Sequence, residues 1–428
     1  MPKMNQMIHK WSSVTRVKTI LPAWMPRLAF APQGQAPRGN VLIVIFQRGG
    51  MDGLNAVIPI GDANYYKLRR KIAIAEPKSK NLLTAIDLDG YFALHPALAP
   101  LKPIYDAGQL APVHAVGSPD PSHSHFDAMD IMERGTGSRG EQGAKTLGTG
   151  WLGRHLASMN TNNDSPLRAV GMGSILQAAL RGPVPVAALQ SITDFHLKGR
   201  EEELPAIQQT LLSLYASGHT SEVEDDAAQQ RTMSELNATL KLLSHLNATQ
   251  YRPAGGAHYP ETDFGLGMMQ VAQLIKADVG LEVACLDIGG WDTHAQQGGV
   301  KGELADLLAE LAGGMAALFA DLGDGMQKVT LVTMSEFGRR AQENGSGGTD
   351  HGHANVMLLM GGDVAGKKVH GDWPTLAPDK LAGPGDLAMT TDYRDVLSEV
   401  LNKRLGNANV AAVFPNFIPK FRDVLKDQ

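Results

Sequence analysis

Short continuous apolar runs alternate along the chain with segments that show helical periodicity. Apolar runs of this length are typical of strands buried on both faces, as in a parallel sheet. The predicted strands are residues 41–46, 110–116, 281–288, 328–334 and 355–362. The predicted helices are residues 95–108, 125–135, 150–159, 203–217, 225–247, 264–278 and 302–322. The alternation predicts an α/β fold with a mostly parallel central sheet that is covered by helices on both faces.

Two regions differ in composition from this pattern. Residues 1–31 are basic and contain no acidic residue, and the segment LAFA resembles the cleavage site of an export signal. Because Arg27 and nearby prolines interrupt the apolar part, we expect a leader or disordered segment over residues 1–38, followed by one domain over residues 39–428. The polar, helix-rich stretch at about 190–260 is bounded by turn residues and predicts a helical cap inserted into that domain.

Composition and charge exclude several classes of protein. The 428 residues are 43% apolar, which is enough to bury a sizeable core. A net charge of −5 without a long basic block argues against a nucleic-acid surface. No apolar segment reaches the roughly 18 to 20 residues of a membrane span. The single cysteine, Cys285, lies in an apolar run, so we expect it to fill the core and no intramolecular disulfide to form.

Histidines and carboxylates concentrate in three glycine-containing segments, GGWDTH, SEFGRR and GTDHGHA, each beside an apolar run. Imidazoles and carboxylates without a nearby thiolate suit Zn, Mn or a similar divalent ion. Because ligands of open α/β sheets bind at strand ends, these segments are predicted to converge on one metal site. The candidate ligands are Asp292, His294, Glu336, Asp350, His351 and His353.

Each of these ligands also has a purely structural interpretation. Asp292 and His294 could form a hydrogen-bonded pair within a loop. Glu336 could pair with Arg339 or Arg340, and the remaining residues could cap a turn or face solvent. All of these together are less favoured, because three such loops must share a small space at the edge of a parallel sheet.

The loop QRGGMDGLN after the first predicted strand is a further candidate region. Asp52 lies near the carboxyl end of that strand among glycines that let the backbone approach an ion, so it is a candidate metal ligand. Its alternative is a capping role in a tight turn. Arg48 is a candidate clamp for an anionic substrate.

The segment SPDPSHSHFDAMD places hydroxyls and imidazoles at the predicted start of a helix. Helix amide dipoles favour the negative charge that develops during attack on an anionic ester. Ser124 or Ser122 is therefore a candidate nucleophile, and His123 or His125 a candidate for handling the leaving-group proton. The alternative is an ordinary helix N-cap with surface histidines, and the sequence does not decide between the two serines.

The ordered motifs QRGGMDGLN, SHSHFDAMDIMERGT, GWLGRHL, DIGGWDTH, TMSEFGRR and GTDHGHAN resemble those of a bacterial domain-of-unknown-function family, DUF1501, from about residue 40 to the C-terminus. The resemblance implies membership of the alkaline phosphatase and sulfatase superfamily, with a metal-bearing α/β sandwich. It implies that Asp52 is a ligand and that the segment from Ser122 to His125 occupies the nucleophile position. Glu336 stands where an Asp-His pair is expected, and Phe337 replaces that histidine.

The same resemblance implies a location for the protein. Members of the family often carry twin-arginine export signals, so a periplasmic or exported protein is expected. A cytoplasmic location is the alternative, because no intact signal is seen in this sequence.

These expectations combine into one functional hypothesis. We expect a metal-dependent hydrolase or transferase that acts on a small anionic substrate, a phosphate or sulfate ester. The alternative is an exported, non-catalytic binding or assembly protein with a degenerate metal site, which the presence of Phe337 favours. A metal-free Ser-His-Asp hydrolase is less favoured, because no G-x-S-x-G motif follows a strand.

Overall fold

A computed structural model of the protein describes residues 39–77, 83–138, 147–159, 161–173, 175–190 and 251–427, together with Ile192 and Thr210. The strands are β1 (Val41–Gln47), β2 (Val57–Ile58), β3 (Ile86–Asp87), β4 (Ala93–Leu94), β5 (Leu110–Gly117), β6 (Ala169–Met172), β7 (Ala187–Leu189), β8 (Val283–Ile288), β9 (Val329–Met334), β10 (Asn355–Gly361) and β11 (Thr391–Asp392). Eight of them form one central sheet in the order β11-β5-β10-β9-β1-β8-β6-β7.

Strand direction within this sheet places the functional loops at one edge. Strands β9, β1, β8, β6 and β7 are parallel neighbours, while β10 is antiparallel to both β9 and β5. Consequently β1, β5, β8 and β9 end at the edge where β10 begins. Segments that follow those four strands, and the segment that precedes β10, therefore lie close together.

The helices are α1 (Gly53–Ala56), α2 (Ala63–Leu68), α3 (Lys102–Asp106), α4 (His125–Arg134), α5 (Trp151–Ser158), α6 (Asp263–Lys276), α7 (Glu303–Leu322), α8 (Tyr393–Glu399) and α9 (Val410–Val413). Shorter helical turns are the 3₁₀ segments Pro96–Leu101, Ala178–Leu180 and Gly323–Lys328 and the π segment Val400–Arg404. Most of the α-helices and turns pack against the central sheet or cap its ends.

Helices cover both faces of the sheet, and alternate residues of β1 pack on opposite sides. Ile43 and Ile45 lie in a buried cluster with apolar residues of α6 and α7. Leu42 and Val44 lie in a second cluster with residues of α5 and α8. All residues of β1 are buried, which is why its apolar run is continuous rather than alternating. The α/β fold with a mostly parallel sheet is thereby confirmed.

The predicted elements agree with the described ones, with a few differences. All five predicted strands are present, and the helices predicted near residues 125, 150, 264 and 302 begin within one residue of those positions. Residues 95–108, predicted as one helix, form a 3₁₀ turn followed by α3, because Pro100 and Pro103 interrupt regular hydrogen bonding. A small sheet of β2, β4 and β3 was not predicted. Cys285 is free and buried, as expected.

Some predictions concern parts of the chain that the structure leaves out of its description. The leader over residues 1–38 and the helices at 203–217, apart from Thr210, and at 225–247 lie outside the described residues, and so does most of the predicted cap at 190–260. Among the residues that are described, no helix is both long and apolar enough to cross a membrane.

Candidate metal centre

Three ligand-type side chains from separate loops meet at the edge where β10 begins. His125 is the first residue of α4, which follows β5. Asp292 follows β8, and His351 precedes β10. One ligand atom from each of these three residues lies within 4.8 Å of the others, and within the described part of the chain this group is the candidate for holding a metal ion.

One oxygen, Oδ1 of Asp292, is the centre of this group. Nε2 of His351 and Nε2 of His294 each lie 3.1 Å from it, and Nε2 of His125 lies 3.3 Å from it. Nε2 of His294 is also 2.9 Å from Nε2 of His351. Three imidazoles thus direct the same ring atom toward one carboxylate oxygen.

The opposite ring nitrogen of each histidine is held by an oxygen atom. Nδ1 of His125 donates to Oε1 of Glu336 at 2.7 Å. Nδ1 of His351 donates to the main-chain oxygen of His123 at 2.7 Å, and Nδ1 of His294 lies 3.3 Å from Oδ1 of Asp350. Since these oxygens can only accept, Nδ1 carries the proton, and the neutral ring presents the lone pair of Nε2 to the cluster.

This arrangement fits a metal ion in two respects. Lone pairs on Nε2 that face a carboxylate oxygen repel it, and Nε2 of His125 is buried without a hydrogen-bond partner among the described residues. A cation between them removes the repulsion. Ligand atoms at ~2.0–2.1 Å from a tetrahedral zinc ion lie about 3.3 Å apart, which is close to the separations of 3.1–3.3 Å from Asp292.

The pKa shifts of the cluster follow from the same contacts. The hydrogen bond to Glu336 raises the pKa of His125, whereas burial lowers the pKa of His351. Burial alone would raise the pKa of Asp292, but the hydrogen bond and the positive charge of Arg339 lower it to about 2. Asp292 is therefore ionised at neutral pH, as a carboxylate ligand must be.

Arg339 connects the loops that carry the cluster. Its buried guanidinium donates through NH2 to Oδ1 of Asp292 at 2.7 Å and through NH1 to the main-chain oxygen of Thr349 at 2.9 Å. It also donates to the main-chain oxygens of Gly49, Gly50 and Trp291. The loops after β1 and β8 and the segment before β10 are thereby fixed to one another by a single side chain.

A family match accounts for the motifs that carry these residues. The model of a family described as protein of unknown function, DUF1501, matches residues 40–413. The chain belongs to the DUF1501 family. That assignment confirms the family indicated by the sequence motifs. No curated protein matches the chain.

Solved structures resemble this DUF1501 chain only loosely. The lipoteichoic acid synthase LtaP from Listeria monocytogenes is 8% identical with a TM-score of 0.35, and the match covers 86% of this chain and 72% of LtaP. Ps i-CgsB in complex with k-i-k-neocarrahexaose is 12% identical with a TM-score of 0.32, and the match covers 90% of this chain and 73% of Ps i-CgsB. A mutant of the alkaline phosphatase PafA is 12% identical with a TM-score of 0.23, and the match covers 72% of this chain and 64% of PafA. Similarities this weak carry no argument about the site.

Glu336 has a different place in the DUF1501 chain from the predicted one. Its Oε1 accepts from Nδ1 of His125 and, at 2.8 Å, from the main-chain nitrogen of Gly49. Its Oε2 accepts from Oγ of Ser335 at 3.1 Å. Both oxygens are thus engaged within the protein, so this buried carboxylate orients the ring of His125.

Asp52, also predicted as a metal ligand, forms a buried ion pair through one of its oxygens. It is fully buried, and its Oδ2 accepts from NH1 of Arg69 and from Nε2 of Gln297, both at 2.6 Å. Asp52 is not part of the group formed by His125, Asp292 and His351. Sequence reasoning missed the ion pair because Arg69 lies seventeen residues further along the chain. The other oxygen, Oδ1, is buried without a hydrogen-bond partner among the described residues.

Arg48 is occupied by carboxylates rather than directed at the cluster. Its NH2 lies 2.9 Å from Oδ1 of Asp287, and its NH1 lies 3.3 Å from Oε2 of Glu133. An anionic substrate at this guanidinium would have to displace or join two negative groups. The predicted anion clamp therefore has different partners in the structure.

The serines and the remaining histidine lie around the start of α4. Ser124 is the N-cap residue of α4, and its main-chain nitrogen donates to Oγ of Ser122 at 3.1 Å. Nε2 of His123 donates to the buried Oδ2 of Asp386 at 3.0 Å. His353 donates through Nε2 to the main-chain oxygen of Ser118 at 2.7 Å, so its ring serves the loop after β5.

Asp350 lies in an outer layer of the cluster. Its Oδ1 accepts from Nδ2 of Asn344 at 3.0 Å and faces Nδ1 of His294. The hydrogen bond from Asn344 is the main cause of the lowered pKa of Asp350. Of the predicted metal ligands, Asp292, His294 and His351 come together directly, and His125, predicted as catalytic, joins them.

Proposed function

We propose that this protein is a metal-dependent hydrolase or transferase that acts on a phosphate or sulfate ester. The observation that carries the proposal is the convergence of Nε2 of His125, His294 and His351 on Oδ1 of Asp292, with an oxygen atom holding each opposite ring nitrogen. Such outer partners are what fixed ligand histidines require. A nitrogen-rich set with one carboxylate favours zinc, and manganese or a similar divalent ion is the alternative.

The proposed chemistry needs charge stabilisation and proton transfer at one place. A bound divalent ion would polarise the ester oxygens and lower the pKa of an attacking hydroxyl or water. Ser124 or Ser122 supplies the hydroxyl for a transferase or a two-step hydrolase. The serine oxygen would form a bond to phosphorus or sulfur and lose its proton, while the bond from that atom to the alcohol oxygen breaks and the departing alcohol takes up a proton. His123, held by Asp386, lies on the same segment and is suited to handle that proton.

We also propose a superfamily and a cellular location for the protein. The α/β sheet and a ligand cluster at the carboxyl ends of its strands support placement in the alkaline phosphatase and sulfatase superfamily, as the motifs imply. Export to the periplasm belongs to the proposal as a family trait. Neither part is needed for the metal chemistry, and each can fail without affecting it.

The second candidate function is a non-catalytic binding or assembly protein that retains the cluster. Phe337 favours it, because the ring centroid lies 4.9 Å from that of His125 and 4.8 Å from that of His351, where a further ligand was expected. The ion pair of Asp52 with Arg69 favours it too, since it engages one oxygen of a predicted ligand. One metal ion with few open positions would suit binding better than turnover.

Metal content and ester turnover, measured on the same preparation, separate the two functions. The hydrolase predicts near-stoichiometric metal by plasma mass spectrometry and release of phosphate or sulfate from a panel of aryl and alkyl esters. Turnover should disappear with a chelator and return when the metal is restored. Stoichiometric metal with no turnover on the panel favours the binding protein, and absence of metal after incubation with Zn²⁺ and Mn²⁺ overturns the metal-dependent proposal.

A further inference from the structure

A hollow lies at the same edge of the sheet as the candidate metal centre. It has a volume of about 330 Å³ and lies where β6, β7 and β8 end and α6 begins. We call it the Asp263 hollow. Among the residues that line it are Ile175, Asp263, Phe264, Leu266, Leu286 and Asp287. Its volume is within the range of small-molecule sites.

A short chain of contacts connects the hollow to the metal centre. Asp287, on the wall of the hollow, pairs with Arg48. The next residue, Gly49, donates its main-chain N–H to Glu336, which in turn holds the ring of His125. Asp287 is also only five residues before Asp292 on the segment that leaves β8. The wall of the hollow and the cluster therefore share the segment that leaves β8.

Two apolar side chains at the hollow are exposed to solvent. Ile175 is 76% exposed and Leu266 is 38% exposed, although both border a concave surface. Exposed apolar groups beside a cavity are typical of a ligand-contacting surface. They favour a ligand with a hydrocarbon part.

The charges of the hollow determine which ligands it favours. Asp263 and Asp287 line it, and no lysine or arginine is among the residues that line it in the described structure. Arg48 offsets the charge of Asp287 and leaves that of Asp263. The resulting negative potential disfavours a carboxylate or a second phosphate and favours an ammonium group.

We propose that the Asp263 hollow binds the alcohol part of the substrate and selects an apolar group that carries an amine. The proposal rests on the proposed function for its link to catalysis, because the phosphate or sulfate group is then assigned to the metal centre. Asp263 is the specificity-determining residue, and Ile175 and Leu266 contact the hydrocarbon. A second hollow of about 660 Å³ shares Asp263 and Leu266 with the first, which leaves room for a longer group.

Direct binding tests the hollow without any turnover. We would titrate the full chain with phenylbutylamine, phenylbutanol and phenylbutyrate by calorimetry, and map the amine by the protection it gives to the α6 start in hydrogen exchange. We expect the amine to bind tightest and the acid weakest. Asp263→Asn should weaken binding of the amine by about fivefold and leave binding of the alcohol unchanged, since an exposed ion pair contributes up to about 1 kcal/mol. Ile175→Ser should weaken binding of all three ligands.

The controls keep the outcome independent of folding and of the proposed function. Asp324→Asn removes the same charge from an exposed site at the opposite edge of the sheet, and should bind the amine as the wild type does. Equal affinity for amine and acid, or an Asp263→Asn variant that binds the amine normally, overturns the hollow's role. Amine binding in a protein that hydrolyses no ester would support the hollow and count against the proposed hydrolase alone. Ester hydrolysis without preference for an amino alcohol would count against the hollow alone.

Discussion

The buried carboxylate of Glu336 lies 2.7 Å from Nδ1 of His125 and so fixes Nε2 as the ring nitrogen that points into the candidate metal centre. Glu336 is 2% exposed, and its other contacts are to the main chain of Gly49 and the hydroxyl of Ser335. The rings of His125 and His351 then meet edge to face with centroids 4.3 Å apart. The candidate metal centre is therefore organised by a residue outside the group of His125, Asp292 and His351.

The Glu336–His125 contact predicts the effect of removing its charge. Glu336→Gln should weaken binding of Zn²⁺ or Mn²⁺ by about 10- to 100-fold, because loss of an outer carboxylate usually lowers metal affinity by that factor. Competition with a chelating dye measures the change. Glu303→Gln alters an exposed carboxylate of α7 and should bind metal as the wild type does. Unchanged affinity in Glu336→Gln would show that His125 needs no such support.

The ligand assignment predicts a contrast between two histidines that are two residues apart. His351→Ala should reduce the metal content well below one ion per chain, because its Nε2 faces Asp292 at 3.1 Å. His353→Ala should retain the ion, because Nε2 of His353 donates to Ser118 instead. Plasma mass spectrometry of both purified variants measures this. Equal loss of metal in the two would contradict the assignment, provided both have the circular-dichroism spectrum of the wild type.

The Asp52–Arg69 pair predicts a large effect on stability and little on metal binding. Both side chains are 0% exposed, so Arg69→Met leaves a buried carboxylate without its cation and should cost about 3–5 kcal/mol of the free energy of unfolding. Urea unfolding measures this cost. The neighbouring, exposed Arg70→Met is the matched control and should cost well below 1 kcal/mol.

A double variant tests the physical reason for that cost. Asp52→Asn combined with Arg69→Met removes both charges and should recover part of the lost stability, since the penalty comes from the unpaired charge. Asp52→Asn alone should keep its metal. If it loses the metal while remaining folded, Asp52 acts as a ligand, as the sequence suggested.

The central strands could be predicted because their apolar runs are long. The six residues VLIVIF of β1 and the run KVTLVTM of β9 leave little alternative to a buried strand. Strands β6 and β7 have only the short sequences AVGM and AAL, which contain small residues and give no such signal. They form strands because β6 pairs with β8 and β7 then pairs with β6, which is a tertiary effect.

The site was predictable as a set of residue types but not as a set of contacts. The order of Asp292, His294 and His351 in glycine-containing loops indicated a shared metal site, and these residues do meet. Nothing local distinguishes a ligand such as His125 from an orienting residue such as Glu336, because both follow strand ends. Their roles depend on which side chain the folded loops place nearest the centre. Contacts between residues that are far apart in the sequence decide that placement.

Two buried histidines far from the metal centre predict how stability depends on pH. Burial lowers the pKa of His114 and of His155 to about 4. Nδ1 of His114 accepts from the main-chain nitrogen of Ala115 at 3.0 Å, and Nδ1 of His155 accepts from Nδ2 of Asn407 at 2.9 Å, so each ring is bound in its neutral form. Protonation of either ring would break such a contact.

The sign follows from the lowered folded-state pKa of both histidines. The unfolded chain binds protons below about pH 6.5, whereas the folded protein does so only near pH 4, so the stabilisation present above pH 6.5 is lost as the pH falls through that window. Between pH 7 and pH 5 each histidine should lower the free energy of unfolding by about 2 kcal/mol. Urea unfolding of chelator-treated protein measures the decrease. His155→Gln should reduce it by about half, and replacement of the exposed His258 by Gln should leave it unchanged. An equal decrease in His155→Gln and the wild type would contradict this origin of the acid sensitivity.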